Sequence, residues 1–486
     1  MCGIAGYYLK TPDMGRARLE EMARRLAHRG PDGQGFHALG GVGLAHTRLA
    51  IIDLAGGAQP LYNEDRNLCL IANGEIYNHL ELRRELEKLG HRFVTHSDCE
   101  TILHAYETWG EASLDRLHGM FAFALHDIQH QELLLARDRL GIKPLYFSQT
   151  PDGFGFASEL KALLPLLGRP EVDPVGLAQY LQNNFSCAPH TLLAGASKLR
   201  PGEWLKIDSN GSVRRQRYWS PLHTTPLDLA LADALERFDS LIEQVIEIHL
   251  RSDVPFGLFL SGGVDSSLLA ALIARRAPEP LRTFSIGFPG TSVHNELAAA
   301  AAVAAQLGTR HTAYEARAEE LLERLPHVVW AADDLTADYA NLPVSLLAER
   351  AGAEIKVVFS GEGGDEVFAG YGRYRANFLK RLLGQLRHPG SGGFRTGGMF
   401  SNEASSLFRP ELAHALRDWR APFARAWSEP PPTWSRLMRM QYVDLETWLP
   451  DDLLVKADRM LMAWGVEGRV PFLDHRLVEF GLGLPD

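Results

Sequence analysis

The spacing of apolar and polar residues changes along this chain, and the changes divide it. Residues 17–26 place apolar side chains three and four apart and stop at Gly30-Pro31, which predicts an amphipathic helix ended by a Gly/Pro break. Residues 46–53 and 70–78 are β-branched and apolar and predict buried strands, the second running into a polar turn. Ser97 or Asp98 is placed to cap a helix opening at Cys99-Glu100. Strand and turn signals continue through residues 202–207, 208–211 and 217–219. A polar, Pro-containing stretch at 220–228 predicts a linker, and residues 229–251 a long helix.

Beyond it the pattern switches to short apolar runs alternating with Ala/Leu-rich helices. Residues 255–260, 283–288 and 356–360 read as strands, and 268–276 and 298–307 as helices. That alternation predicts a parallel, doubly wound sheet, whose ligands lie at the carboxyl ends of its strands. Residues 387–398, rich in Gly, Arg and Ser, predict a mobile surface loop, and Pro430-Pro431-Pro432 a rigid spacer before another helical stretch. No internal repeat or sustained heptad pattern is present.

At 486 residues the chain suggests about three domains of ~150 residues each, but large α/β units make two the better fit: 1–219 and 229–486, joined by 220–228. A hydrophobic fraction of 45% is ordinary for a globular chain, and a formal charge of −10 argues against a nucleic-acid partner. No run of ~18 apolar residues predicts a membrane span. Cys2, Cys69, Cys99 and Cys187 lack metal-binding spacing, and their scarcity suggests a reducing compartment, here the cytoplasm.

Candidate chemistry begins at Met1-Cys2-Gly3. Removal of Met1, which small Gly3 favours, would leave Cys2 with both a thiol and a free α-amine of pKa near ~8, so one residue supplies nucleophile and base. Thiol attack on a carboxamide needs oxyanion donors, and Asn73 with the Gly74 N–H suits that task. A bound α-amino acid needs a cation for its carboxylate, such as Arg48, and acids for its ammonium, such as Glu75 and Asp98. Taken singly, Arg48 is a surface charge, Asp98 a helix cap and Asn73 a turn former. In the second half Ser261-Gly262-Gly263-Val264-Asp265-Ser266-Ser267 links a strand to a helix, an arrangement that aims N–H groups and a positive helix end at phosphate. No Gly-Lys-Ser/Thr follows, so this is not the usual P-loop. Asp265 inside a phosphate cradle implies a bridging Mg²⁺. Ser360-Gly361-Glu362-Gly363-Gly364-Asp365 ends a later strand and can face the same site.

The first set of segments resembles the class II glutamine amidotransferases, which are N-terminal-nucleophile hydrolases. The resemblance runs through Cys2-Gly3-Ile4, His28-Arg29-Gly30-Pro31-Asp32, Arg48-Leu49-Ala50-Ile51, Asn73-Gly74-Glu75-Ile76-Tyr77-Asn78, Ser97-Asp98-Cys99-Glu100, Arg137-Asp138-Arg139-Leu140-Gly141 and Ala157-Ser158-Glu159-Leu160-Lys161-Ala162. The second set, with Lys456-Ala457-Asp458-Arg459-Met460 and Val466-Glu467-Gly468-Arg469-Val470-Pro471-Phe472-Leu473-Asp474, resembles the pyrophosphatase-loop ATP hydrolases, the glutamine-hydrolysing asparagine synthetases in particular. The resemblance implies an αββα sandwich followed by a doubly wound parallel α/β domain with added helices.

It also implies roles. Cys2 is the nucleophile; Asn73 and Gly74 form the oxyanion hole; Arg48, Leu49, Ala50, Ile51, Ile52, Glu75 and Asp98 hold glutamine. Ser261, Gly262, Gly263, Asp265, Ser266 and Ser267 cradle pyrophosphate, Phe259, Ile286, Ser360 and Gly361 take the adenylate, and Asp265 with Asp365 hold Mg²⁺. Glu362 steers ammonia and accepts its proton, and Lys456 neutralises phosphates. The implied substrates are glutamine, ATP and a carboxylate, with aspartate the leading acceptor; a homodimer is compatible. Other acceptors, a non-catalytic glutamine- and nucleotide-binding protein and a plain glutaminase stay open. Residues 333–338 lack the Pro that many relatives carry there, so the acceptor is the least determined element. The chain stops at Asp486, where most relatives continue with further helices, so a shortened tail or a fragment is expected.

Overall fold

The computed structural model describes residues 2–10, 15–289, 295–375, 378–398, 408–417 and 419–486. Met1 lies outside them. The first half is built on two antiparallel six-stranded sheets. One has the order β10-β8-β9-β1-β3-β2, with β1 (Gly3–Leu9), β2 (Gly33–Leu39), β3 (Val42–Arg48), β8 (Tyr146–Thr150), β9 (Gly153–Ala157) and β10 (Ala196–Lys198). The other runs β12-β11-β7-β6-β5-β4, with β4 (Leu61–Tyr62), β5 (Leu68–Ile76), β6 (Gly119–Asp127), β7 (Glu132–Arg137), β11 (Glu203–Ile207) and β12 (Val213–Arg217).

The period-2 alternation of these strands decides the layering. Ile4, Leu44, Ile71, Leu133 and Leu205 point between the sheets and form a shared core. On the far side of the first sheet, Ala5, Tyr7 and Ala157 meet Leu19 and Met22 of α1 (Gly15–Arg25). On the far side of the second, Leu70, Ala72 and Phe123 meet Leu82 and Leu86 of α2 (His79–Lys88) and Ile102 and Leu103 of α3 (Glu100–Trp109). The result is an αββα sandwich in which both faces of both sheets are covered.

The second half carries a parallel five-stranded sheet of order β15-β14-β13-β16-β17, from β13 (Phe256–Phe259), β14 (Arg282–Gly287), β15 (Arg310–Glu315), β16 (Val357–Phe359) and β17 (Glu467–Arg469). Leu258, Val357 and Phe359 pack on one face against Ile242, Val245, Leu269 and Ile273 from the helices Leu231–His249 and Val264–Ala274. Phe284 and Val358 pack on the other against Leu347, Ala348 and Leu461. The sheet is doubly wound. No helix among the described residues is long and apolar enough to cross a membrane.

Four local expectations are corrected. The strand expected over 46–53 ends at Arg48, because the Arg48 guanidinium donates to the carbonyls of Asp53 at 2.6 Å and Leu54 at 3.1 Å and curls the chain. Neither Ser97 nor Asp98 caps α3; Asp98 Oδ2 instead accepts from Ile76 N at 2.7 Å. The long helix is Leu231–His249 rather than 229–251. Residues 387–398 are not a free surface loop: Ser391 and Phe394 are buried, Phe394 stacks on Tyr374, and Arg395 pairs with Asp444 at 2.7 Å.

Candidate active sites

The antiparallel pairing of β1 with β3 starts at Gly3–Thr47, so Cys2 sits just before the first residue of an interior strand, beside the segment that follows β3. Its side chain is buried, with Sγ 3.9 Å from Leu49 O. Burial pushes the thiol's pKa up, opposed by a backbone hydrogen bond at Leu49 and by Arg48. A thiol held in its neutral form needs a base before it can attack.

Asn73 is fully buried on β5, and its amide is used on one side only. Oδ1 accepts from Cys2 N at 2.9 Å, while Nδ2 has no hydrogen-bond partner among the described residues. A buried, unmade N–H costs about 1–3 kcal/mol, which a developing oxyanion would recover. Gly74 follows where the strands crowd together: a Cβ there would lie 2.1 Å from Met120 O.

Glu75 and Asp98 are both buried in this pocket. Burial lifts both carboxyls, Glu75 strongly, with Asp98 and Glu467 adding to it. Two buried acids so placed favour an arriving cation. Leu49 and Ile51 are buried, Ala50 N donates to Asp32 Oδ2 at 2.8 Å, and Ile52 is partly buried. Arg48 reaches this rim with its terminal nitrogens engaged by loop carbonyls.

The second cluster lies at the carboxyl ends of three adjacent parallel strands. Register pairs Leu258 with Thr283 and with Phe359, so Phe259, Ile286, Ser360 and Gly361 converge at one edge. The turn after β13 places Gly262 at φ +80, a conformation that favours glycine. Ser261 Oγ and Ser266 Oγ are 3.0 Å apart, Gly263 N donates to Ser261 Oγ at 3.2 Å, and buried Ser267 Oγ has no hydrogen-bond partner among the described residues.

Asp265 lies against the second Gly-rich loop, where a Cβ on Gly364 would sit 2.5 Å from its Oδ2. Burial and Asp365 raise Asp265; burial raises Asp365, with Arg373 opposing and Glu362 adding. Two half-buried carboxylates, one lifted by the other, fit a hard divalent cation held through oxygen. Lys456, buried on the helix Leu454–Met462, lies 3.3 Å from both Glu362 and Asp338. Burial would lower this ammonium, but Glu362, Asp338 and Asp452 hold it above its ordinary range.

The two clusters are joined by buried charges. Arg29 donates to Asp458 at 2.7 and 3.1 Å, to Glu159 at 2.9 Å, and through Nε to Cys2 O at 3.2 Å. Arg459 lies 3.0 Å from Glu159 and 3.6 Å from Asp333, and Lys161 closes the rim 2.8 Å from Glu159. Asp458 and Arg459 share a helix with Lys456. From β17, Arg469 reaches Glu75 at 3.5 Å and Glu467 at 2.7 Å. Against the upward push of burial, Arg469 and Lys143 hold Glu467 at about 2, leaving Glu75 as the high-pKa partner.

A family model described as a glutamine amidotransferase domain matches residues 1–219, and one described as asparagine synthase matches residues 237–486. Asparagine synthetase [glutamine-hydrolyzing] 1 of Bacillus subtilis (strain 168) is 34% identical, over 100% of this chain and 81% of the relative. The chain belongs to the glutamine-hydrolysing asparagine synthetase family. Two plant members match similarly. Asparagine synthetase [glutamine-hydrolyzing] 2 of Oryza sativa subsp. japonica is 33% identical over 100% of this chain and 69% of its own length. The enzyme of Asparagus officinalis is 33% identical over 100% and 70%.

Within this asparagine synthetase chain the structure brings Cys2, Asn73, Glu75 and Asp98 together, and separately Asp265, Asp365, Glu362 and Lys456. Sequence reading missed the bridging roles of Arg29, Glu159, Asp458, Arg459, Glu467 and Arg469. The available signal was charge embedded in apolar runs, as in Leu454-Val455-Lys456-Ala457-Asp458-Arg459-Met460-Leu461. Such residues are almost never buried unless paired.

Proposed function

We propose that this chain hydrolyses glutamine at Cys2 and uses the ammonia to convert aspartate to asparagine at an ATP-dependent second site. The observation that carries the reading is Asn73: its oxygen fixes the Cys2 backbone while its buried NH₂ has no acceptor among the described residues. With Met1 removed, the Cys2 amine takes the thiol proton and Sγ attacks the carboxamide carbon. Asn73 Nδ2 and the Gly74 N–H take the oxyanion. Glu75 and Asp98 hold the substrate ammonium, and residues 48–52 its carboxylate end. Ammonia leaves, and water later releases glutamate from the thioester.

In the second site the aspartate carboxylate displaces pyrophosphate from ATP and forms an acyl adenylate. Ser261, Ser266, Ser267 and the N–H groups of the turn hold the leaving pyrophosphate, and Lys456 adds positive charge. Mg²⁺ held by Asp265 and Asp365 would neutralise phosphate oxygens. Ammonia attacks the acyl carbon, AMP departs, and Glu362 accepts the proton released from nitrogen. Neutral ammonia crosses apolar surroundings more easily than ammonium. Tyr77, Met120, Leu140 and Ile142 of the first half pack with Val470 and Leu473 of the second and offer such a seam.

The test supplies glutamine, ATP and Mg²⁺ with a panel of carboxylates and identifies the amidated product by mass. Asparagine and AMP are expected in equal amounts. Amidation of a different carboxylate with aspartate untouched would replace the acceptor, and hydrolysis of glutamine without any amide product would reduce the protein to a glutaminase.

A further inference from the structure

Away from both sites, α3 carries His104 and Glu107 one turn apart, so they share a helix face. The loop between β4 and β5 adds Glu64, and the chain after α2 adds His91. The four side chains bring one donor atom each to within 4.8 Å of one another. His91 Nδ1 is 3.4 Å from Glu107 Oε2 and 3.9 Å from Glu64 Oε1. His104 Nδ1 is 3.5 Å from both Glu64 Oε2 and Glu107 Oε2. A tetrahedral ion with bonds of about 2.0–2.1 Å spaces its donors about 3.3–3.4 Å apart.

A hydrogen bond settles which way the His91 ring faces. His91 Nε2 lies 2.7 Å from Thr108 Oγ1, and that hydroxyl gives its own proton to His104 O at 2.8 Å. Thr108 is left to accept, so His91 carries its hydrogen on Nε2 and turns the Nδ1 lone pair to the glutamates. The His104 ring is fully buried, and neither of its nitrogens has a hydrogen-bond partner among the described residues, Nε2 lying 3.7 Å from Glu100 Oε1. Glu100 is itself fixed by Val94 N at 2.6 Å and Thr95 N at 2.8 Å. Glu64 Oε1 accepts from Arg92 N at 2.7 Å, and Glu107 Oε1 from Asn63 Nδ2 at 3.2 Å, which aims each remaining oxygen at the imidazoles. Lone pairs facing carboxylates repel unless a cation lies between them. Hydrogen-bonded outer partners of this kind are what orient histidine ligands.

We propose that Glu64, His91, His104 and Glu107 form a Zn²⁺ site that staples α3 to the two loops beside it. Four protein donors leave no open position, so the ion is structural rather than catalytic. Imidazole with carboxylate suits zinc better than magnesium or calcium. Glu64 and Glu107 keep 29% and 31% of their side chains exposed, which gives the ion a way in. The first turn of α3 follows Asp98 directly, so the staple steadies the helix at whose start the glutamine pocket lies.

The full chain, prepared without a metal-affinity tag and stripped with chelator, is titrated with Zn²⁺ against a chromophoric chelator and measured for bound metal. The Cys2→Ala variant is run in parallel to remove thiol binding. One zinc per chain is expected in both, with a rise in Tm. Co²⁺ in its place should give the strong visible bands of a tetrahedral site. His91→Gln and Glu107→Gln should each weaken zinc by at least ~100-fold, and Thr108→Val, which keeps all four ligands, by about 10–100-fold. If the wild-type chain takes up no stoichiometric zinc at micromolar free metal, the cluster is an imidazolium–carboxylate group and the proposal is wrong. Undiminished binding by folded His91→Gln and Glu107→Gln would place the metal elsewhere and overturn it equally. The wild-type titration decides even if a variant does not fold.

Discussion

Replacing Asp458 with alanine should separate the two halves energetically before it damages either. In the native network Arg29, Arg459 and Lys161 face Glu159, Asp458 and Asp333, so charge balances inside an interior that excludes water. Asp458→Ala leaves Arg29 with Glu159 alone, and Glu159 is already shared with Arg459 at 3.0 Å and Lys161 at 2.8 Å. Breaking one side of a buried pair costs about 3–5 kcal/mol, most of it from the stranded charge. Urea unfolding followed by tryptophan fluorescence measures the loss. The double variant Arg29→Met/Asp458→Leu removes one charge of each sign, and should recover more than half of it.

The same variants should be followed by the ratio of glutamine consumed to amide formed, which rises in Asp458→Ala as ammonia escapes. Burial pushes Glu159 and Asp458 up, but the guanidiniums hold both below the usual carboxylate range. Their contribution is therefore complete above the unfolded value of about pH 4 and is lost as pH falls through the depressed folded values. Asp333, raised by burial, acts in the opposite sense. The deficit of Asp458→Ala should shrink in acid. A single variant within ~1 kcal/mol of wild type, or a double variant no better than the single, would refute this account.

Cys2→Ala should abolish glutamine-dependent synthesis yet keep ammonia-dependent synthesis; equal loss of both in folded protein would deny two separable sites. Asp265→Asn should greatly weaken amidation at ordinary Mg²⁺ while glutamine hydrolysis persists, and unchanged amidation would make Asp265 a turn residue. In Glu362→Gln, acceptor-dependent exchange of labelled pyrophosphate into ATP should survive while amide formation falls by roughly 10²–10⁴-fold; loss of both would place Glu362 in substrate binding. The raised carboxyls of Glu75 and Asp98 must ionise to hold an ammonium, so KM for glutamine should climb as pH is lowered through their range. A KM unchanged by pH across the range in which the protein stays folded would assign them elsewhere.

What was legible in the sequence was whatever a short window carries. The parallel sheet was read from alternating runs such as 255–260 and 268–276, and the structure places β13 and the helix Val264–Ala274 there. The Gly-rich turns were read because steric freedom is local. The end of β3 depends on where the Arg48 side chain folds back, and the order of 387–398 on Phe394 stacking against Tyr374 and Arg395 pairing with Asp444, both distant in sequence. The bridge from Arg29 to Asp458 spans 429 positions, and no local pattern can announce it. The cluster around His104 stayed hidden for the same reason, since α3 supplies only half its donors.

Arg469 and Glu467 come from a strand of the parallel sheet, yet they act on Glu75 across the boundary in opposite senses, Glu467 raising its carboxyl and Arg469 lowering it, beside the larger effects of burial and Asp98. The pocket around Cys2 is thus finished by the other half of the molecule. Cut away, the first half would keep its thiol and its amide cradle but lose one charge of each sign from beside its acids. The surroundings of the first pocket's acids are fixed jointly by both halves, because the second supplies the last two side chains.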